Sequence, residues 1–178
     1  GSRKQEITKM LSVMLSVVND FPDYQFVIAG APSQDFSFYK EFITQDNIKF
    51  ISNKTYDLLS NAAAALVTSG TATLETALFK VPEVVCYKGS WASYQIAKRI
   101  ITLKYISLVN LIMDEEVVTE LIQEDCNTKR IREELQKILN TNYRNTLLQK
   151  YALLEQQLGG IGASAKTAEL IVNDLKEY

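Results

Sequence analysis

The chain has 178 residues, of which 47% are hydrophobic, and this is enough for one well-packed core of ordinary domain size. A formal net charge of −2 excludes the overall basic surface of nucleic-acid-binding proteins, so we expect no nucleic-acid partner. Two cysteines are too few for a disulfide framework, and no apolar run reaches the roughly 18 residues that span a bilayer. These features predict a cytoplasmic protein with a single domain over residues 1–178.

Helices and strands alternate through the first half of the chain. Apolar residues at helical spacing predict a helix over residues 4–20, which ends before Pro22. The elements predicted next are a strand over 24–29, a helix after Ser33, a strand over 48–51, a short helix over 55–61, and strands over 63–67 and 83–87. This alternation predicts a parallel sheet with helices on both faces, the doubly wound α/β class.

The second half is predicted to be mostly helical. The predicted helices cover residues 91–102, 116–123, 128–139, 144–158 and 164–176. Asp114, Glu115 and Glu116 are interpreted as the charged first turn of the second of these helices and not as a metal site. The glycines of residues 159–162 predict a flexible hinge.

A hydroxyl-rich turn between a strand and a helix carries the clearest functional signal. Residues 72–79 are good helix formers, so the turn opens a helix N-terminus, where free N–H groups and the positive end of the helix dipole meet. The hydroxyls of Ser69, Thr71 and Thr73 lie in the same turn, which suits a phosphate or diphosphate. Glu75 suits sugar hydroxyls instead. The alternative is that these hydroxyl residues are ordinary helix caps.

Five segments, in this order, resemble one enzyme family. They are Gly1-Ser2-Arg3 with Glu6-Ile7, the stretch from Ser69 to Tyr87, Ala97-Lys98-Arg99 with Tyr105 to Leu111, Leu121 to Glu124, and Leu158 to Ser164. Together they resemble the C-terminal half of bacterial lipid-A-disaccharide synthase, a glycosyltransferase of the GT-B type. Each segment alone is a weak signal, but five in order are specific, and they span nearly the whole chain.

The resemblance implies a fold and an activity. The fold is a Rossmann-like, doubly wound parallel sheet that binds a UDP-sugar, followed by a helical C-terminal region; the first strand and the N-terminal acceptor half are expected to be absent. The family transfers 2,3-diacylglucosamine from UDP to 2,3-diacylglucosamine 1-phosphate with inversion, in lipid A biosynthesis. We expect this half alone to bind nucleotide and to be inactive. The alternative is the donor-binding half of another GT-B UDP-sugar transferase of cell-envelope synthesis.

The resemblance also assigns the site residues. The expected contacts to the UDP-sugar come from Ser2, Arg3, Ser69, Gly70, Thr71, Thr73, Glu75 and Asn110. Within this set the residues from Ser69 to Thr73 are assigned to the diphosphate and Glu75 to the ribose. No metal and no cofactor is implied. Because the chain contains no histidine, the general base is expected on the absent half.

Two of these residues are assigned to catalysis, and each has an alternative. The Arg3 guanidinium can neutralise the charge on departing UDP, or it is a solvated residue of a first helical turn. Asn110 places the donor in the family, whereas by its residue type alone it is a turn residue whose side chain bonds to backbone. Gly1-Ser2 agrees with the family loop and is also a common remnant of cloning.

Residues 91–105 mix aromatic, aliphatic and basic side chains. Such a helix suits peripheral contact with the inner face of the inner membrane through Lys98, Arg99 and Lys104, while an ordinary amphipathic core helix is the alternative. A half that lacks its first strand exposes sheet edge and cleft surface, so a homo-oligomer is a further alternative.

Overall fold

The structure is a computed structural model that describes residues 4–68, 70–89, 104–159 and 162–176. It opens with helix α1, Lys4–Leu15, which turns Ile7, Met10 and Met14 inward. The sequence predicted one helix as far as residue 20, but the α-helix ends at Leu15 and a 3-10 turn follows over Val18–Asp20. The predicted helix therefore begins at the observed position but extends too far at its C-terminal end.

The strands predicted for the first half are confirmed, with bounds shifted by at most two residues. The elements are β1 Phe26–Gly30, α2 Phe36–Tyr39, a 3-10 turn Lys40–Phe42, β2 Ile48–Ser52, α3 Thr55–Leu59, β3 Ala65–Thr68, α4 Thr71–Leu78 and β4 Glu83–Tyr87. Short apolar runs bounded by polar residues were sufficient to place every strand.

The described residues of the second half form one strand and four helices. These are α5 Leu108–Met113, β5 Glu120–Ile122, α6 Thr128–Leu139, α7 Thr141–Gln157 and α8 Ala163–Lys176. The predictions for α6, α7 and α8 are confirmed to within three residues. The helix predicted over 91–102 and the centre of the predicted glycine hinge lie outside the described residues.

The helix predicted over 116–123 is wrong. Residues 120–122 form β5, which pairs with β4 with Cys86 opposite Leu121. Leu121 is fully buried in the core, and a short apolar run such as Leu121-Ile122 fits a strand as well as a helix. Asp114 does not begin a helix either. It ends α5 in the left-handed conformation, with φ 48°, which is typical of the residue that terminates a helix.

All strand pairs are parallel, and they form two separate sheets in the described part of the chain. One sheet has the order β1-β2, with Phe26 opposite Ile48, and the other has the order β3-β4-β5. Helices cover both sheets, so the predicted α/β class with parallel strands is confirmed.

Two apolar clusters hold these sheets. The larger one surrounds β4, and the smaller one packs Ile28 of β1 and Ile48 of β2. Helix α1 joins the two, because its Ile7 belongs to the smaller cluster and its Met10 and Met14 to the larger one. Cys86 and Cys126 are both buried and free, as expected for a chain without a disulfide framework.

Candidate functional site

The turn between β3 and α4 is built on a glycine. Gly70 is the N-cap of α4 with φ 124° and ψ −161°, a backbone region that is essentially restricted to glycine. Gly70 and Thr71 are exposed, and the N-cap residue, a glycine, makes no side-chain cap bond to the helix. An anionic ligand at the first N–H groups of α4 stays a prediction, and the exposed glycine turn is compatible with it. Ser69 lies outside the described residues.

Thr73 supports this turn from the inside. Its side chain is fully buried, and its hydroxyl donates a hydrogen bond of 2.8 Å to the carbonyl oxygen of Gly70. The Thr73 N–H also reaches this carbonyl, at 3.2 Å. A direct contact from Thr73 to a phosphate stays a prediction, and the bonds observed here give the residue a role in shaping the turn.

Glu75 lies one helical turn further on and faces a small cavity. The cavity has a volume of about 370 Å³, and its other lining residues are Asn53, Lys54, Thr55, Tyr56 and Asp57. These five residues follow β2, so the carboxyl end of β2 and the start of α4 form one pocket. Ligands of doubly wound sheets bind at this edge.

Residues 53–57, which follow β2 and include the first turn of α3, were not assigned a binding role from the sequence. Tyr56 is 58% exposed, and its ring stacks on Phe79 with centroids 5.3 Å apart and planes 16° from parallel. Lys54 and Glu75 contribute a cation and a carboxylate to the lining of the small cavity. A polar cluster directly after a predicted strand was the available signal, because carboxyl ends of parallel strands share one edge of the sheet.

Asn110 is a structural residue in this arrangement. It is fully buried, and its amide nitrogen donates to the Val118 carbonyl at 2.8 Å and to Glu120 Oε1 at 2.9 Å. Its amide oxygen accepts from the N–H groups of Val117 at 2.8 Å and Val118 at 2.9 Å. These four bonds use both donors and both acceptor positions of the amide. Three of the four bonds go to backbone groups, as the alternative interpretation expected, but Asn110 lies in helix α5 and not in a turn.

Glu120 is a second residue that sequence reasoning missed. Its carboxylate accepts hydrogen bonds of 2.9 Å from the N–H groups of Ile106 and Ser107, in addition to the bond from Asn110. Hydrogen bonds to a charged acceptor are strong, so the carboxylate holds its three donors firmly in place. Glu120 and Asn110 together tie the start of α5 to β5.

Ser2 and Arg3 lie outside the described residues, so their assignments stay predictions. The nearest described evidence is helix α1, which begins at Lys4. Glu6 in its first turn lines a larger cavity, of about 750 Å³, that Glu75 also lines.

The surface predicted to meet a membrane is described only at Lys104 and Tyr105. The Lys104 ammonium lies 4.9 Å from the centre of the Tyr105 ring and 3.8 Å from Asp114 Oδ1. Across the described ranges, none of the helices combines the length and apolar character needed to cross a bilayer. The same ranges hold no cluster of three or more potential metal ligands.

Comparison with known proteins assigns the chain to a family. The family profile described as "Lipid-A-disaccharide synthetase" matches residues 1–172. The chain belongs to this family. Among curated relatives, it is 36% identical to the lipid-A-disaccharide synthase of Syntrophus aciditrophicus (strain SB), over 99% of this chain and 48% of the relative. It is 35% identical to that of Coxiella burnetii (strain CbuG_Q212), over 97% of this chain and 47% of the relative.

A third relative extends the range of sequences. The lipid-A-disaccharide synthase of Anaeromyxobacter dehalogenans (strain 2CP-C) is 30% identical over 99% of this chain and 48% of the relative. The chain spans about half the length of the curated relatives that it matches. The family resemblance of the sequence motifs is thus confirmed over nearly the whole chain.

Proposed function

We propose that this chain binds the nucleotide-sugar donor of lipid-A-disaccharide synthase, with UDP at the junction of β2, β3 and α4. The observation that carries the proposal is the pocket that Glu75 shares with residues 53–57, beside the uncapped N-terminus of α4. It combines N–H groups for a diphosphate, a carboxylate for ribose hydroxyls and an aromatic ring for a base.

Each part of the donor has a proposed position. The diphosphate lies at Ser69, Gly70 and Thr71, with Thr73 holding the turn from inside. The ribose hydroxyls donate to Glu75. The uracil lies against residues 53–57, where Tyr56 at the start of α3 is exposed.

The proposed reaction is inverting glycosyl transfer. The 6-hydroxyl of 2,3-diacylglucosamine 1-phosphate attacks C1 of the donor sugar, the bond from C1 to UDP breaks, and UDP departs with the electron pair. Arg3 is proposed to stabilise the negative charge that builds on the diphosphate. The base that accepts the hydroxyl proton, and the binding of the lipid acceptor, are proposed to come from the other half of the protein. This half alone then binds nucleotide and is inactive.

Asn110 is proposed to place the donor indirectly. Its amide is bonded to Val118 and Glu120, so it acts by holding the segment from Ile106 to Asn110 in place. In this proposal Asn110 and Glu120 are positioning residues, and the backbone they hold lines the donor side of the cleft.

The test is titration calorimetry of the 178-residue chain with UDP, repeated with Glu75→Gln. Loss of a hydrogen bond to a charged acceptor costs about 1.5–3 kcal/mol, so we expect UDP to bind roughly 10- to 100-fold more weakly to the variant. Removing a ribose hydroxyl from the ligand deletes the other partner of the same hydrogen bond. We therefore expect 2′-deoxy-UDP to bind the unmodified chain more weakly than UDP, and the variant to distinguish the two ligands much less.

Glu133→Gln is the matched control, because Glu133 is a partly exposed carboxylate on α6 outside both cavities. It should leave UDP affinity unchanged. UDP binding that Glu75→Gln does not weaken would place the nucleotide elsewhere. No binding at millimolar UDP would contradict the proposal that this half holds the donor by itself.

Contact with the membrane surface is proposed through the basic residues Lys98, Arg99 and Lys104. Each basic group near an anionic surface contributes about 1 kcal/mol, so changing all three to Ser should weaken binding to vesicles roughly 100-fold. Flotation with vesicles that contain phosphatidylglycerol measures this. Changing Lys129, Arg130 and Arg132 on α6 to Ser removes the same charge elsewhere and should have a much smaller effect; equal losses would contradict a specific basic surface.

A homo-oligomer is proposed through helix α8. Its Leu170 and Leu175 are 70% and 71% exposed, and Ile171 and Val172 are about half exposed. Four exposed apolar side chains on one helix are typical of an interaction site.

A further inference from the structure

The two cysteines of the chain lie far apart in sequence but close together in the fold. Cys86 is in β4, and Cys126 lies in the turn between β5 and α6. Both are fully buried in the larger apolar cluster, and both are free thiols. The chain contains no other cysteine, so any disulfide within one molecule must join these two.

The strand register brings Cys126 to the end of β4. Strand β5 runs beside β4 with Cys86 opposite Leu121, and the Gln123 N–H continues the ladder with a bond of 2.8 Å to the Tyr87 carbonyl. The chain then turns back, because the Cys126 N–H bonds to the Gln123 carbonyl at 3.2 Å. Cys126 is therefore held in a tight turn at the carboxyl end of these two strands.

Lys88 shows that Cys86 faces this turn. Residues two apart in an extended chain point to the same side, so the side chain of Lys88, directly after β4, lies on the same face as that of Cys86. The Lys88 ammonium donates a hydrogen bond of 3.1 Å to the Cys126 carbonyl. The two thiols also interact directly, through a side-chain hydrogen bond. They are thus neighbours in the reduced protein.

The surroundings give the two thiols different roles. The hydrogen bond with Cys86 and the charge of Lys88 lower the pKa of Cys126, whereas the bond with Cys126 and burial raise the pKa of Cys86. The thiolate is the reactive form, so Cys126 is the better nucleophile. Cys126 also directly follows two exposed residues, Glu124 and Asp125, so a local opening of this turn admits a small oxidant.

We propose that Cys86 and Cys126 are an oxidation site, which a peroxide converts reversibly into a disulfide within the molecule. In this site Cys126 reacts first and Cys86 is the resolving thiol. The inference goes beyond the proposed function and does not rest on UDP binding.

The chemistry of the site needs one peroxide and no other reactant. The Cys126 sulfur attacks one oxygen of hydrogen peroxide, the O–O bond breaks, and the other oxygen leaves as water with the thiol proton. The Cys86 sulfur then attacks the sulfur of this sulfenic acid, the S–O bond breaks, and the hydroxyl leaves as a second water with the Cys86 proton. Two thiols and one peroxide thus give one disulfide and two waters.

The disulfide fastens β4 to the turn before α6. It closes a loop of about 40 residues, and a cross-link over this length restricts the unfolded chain much more than the folded one. The bond also lies beside the strand that leads into the glycine turn, because Thr68 of β3 is opposite Cys86. Oxidation therefore makes the carboxyl end of this sheet more rigid.

The first experiment treats the folded 178-residue chain with hydrogen peroxide, blocks remaining thiols with a maleimide in urea, and measures the intact mass. We expect a monomer that has lost two hydrogen atoms and takes up no maleimide, and dithiothreitol should restore both thiols. The melting temperature of the oxidised chain should be higher by about 5–15 °C. Cys86→Ser and Cys126→Ser are matched controls, and peroxide should not raise the melting temperature of either.

A titration with reduced and oxidised glutathione measures how strongly the fold favours the bond. We expect the disulfide to be at least tenfold more stable in the folded chain than in urea, since the fold holds the two thiols together. A factor of ten corresponds to about 30 mV for this two-electron couple. An equal stability in the folded chain and in urea would overturn the proposal.

The role of Cys126 as the first thiol has its own test. Lys88→Gln keeps a donor for the Cys126 carbonyl but removes the charge, so it should slow the reaction with peroxide severalfold. Lys129→Gln removes the charge of an exposed lysine of α6 and should leave the rate unchanged. Equal rates for the two variants would contradict this role. Formation of a sulfinic acid alone, or of a disulfide between two molecules, would overturn the proposal as a whole.

Discussion

Replacing Asn110 with alanine should destabilise this chain by about 3–5 kcal/mol, because three buried backbone groups and the partly buried Glu120 carboxylate lose a partner at once. The N–H groups of Val117 and Val118 donate to the Asn110 amide oxygen, and the Val118 carbonyl accepts from the amide nitrogen. The Glu120 carboxylate loses one of its three donors. Each buried group left without a partner costs about 1–3 kcal/mol, and the costs are not fully additive for groups in one network.

Urea unfolding of the 178-residue chain measures this loss, with Asn127→Ala as the matched control. Asn127 caps α6 through a single bond of 3.0 Å from the Arg130 N–H to its side-chain oxygen, and loss of such a cap costs about 1 kcal/mol. Asn110→Asp keeps the acceptor oxygen but sets a second carboxylate against Glu120, so it should also be strongly destabilising. A loss at Asn110 no larger than that at Asn127 would contradict the structural role.

Replacing Glu83 should stabilise the chain, and the gain should grow with pH. Glu83 is fully buried at the start of β4, and neither of its carboxylate oxygens has a hydrogen-bond partner among the described residues. Burial without a compensating partner raises the pKa of Glu83 well above its usual value. The Tyr151 hydroxyl of α7 is a titratable neighbour of Glu83, and burial raises the pKa of Tyr151 as well.

The direction of the pH effect follows from linkage. Near pH 4 both the folded and the unfolded chain carry a protonated Glu83. As the pH rises above the ordinary pKa of a glutamate, the unfolded chain loses this proton and the folded chain keeps it. Stability therefore falls with rising pH until the folded pKa is passed.

Two substitutions separate the ionisation of Glu83 from its polarity. Glu83→Gln removes the titration but keeps an unpaired buried polar group, so it should remove this fall in stability and change little near pH 4. Glu83→Met has a similar shape without the polar group, and it should add a gain of about 1–3 kcal/mol at every pH. Urea unfolding between pH 4 and pH 8 measures both. A gain from Glu83→Gln that does not grow with pH would show that Glu83 is not protonated in the folded chain.

Much of the fold was predictable because it rests on local patterns. The strand Glu83–Tyr87 and the helix Thr128–Leu139 were placed with their observed bounds. An apolar run flanked by Pro82 marks the first, and an asparagine before a helical apolar pattern marks the second. The glycine turn before α4 was predictable for the same reason, since turn and cap preferences are properties of a few neighbouring residues.

The site was only partly predictable. Glu75 and Gly70 are part of a recognisable motif, but residues 53–57 lie about 20 positions before them in the chain. Only the parallel pairing of strands brings the ends of β2 and β3 to one edge. For Asn110, the residue type fitted both a ligand contact and a turn, and the four bonds to Val117, Val118 and Glu120 came from strand and loop positions that periodicity does not show.

The sequence by itself determined the family, the α/β class and the position of the turn before α4, because motifs and hydrophobic periodicity depend on residues close together in the chain. Only the tertiary structure decided that residues 120–122 are a strand, that Glu83 is buried without a hydrogen-bond partner among the described residues, and that β1 and β3 line one cavity. These three features depend on contacts between elements far apart in sequence. Burial, strand pairing and cavity shape depend on such contacts, so local sequence patterns do not predict them.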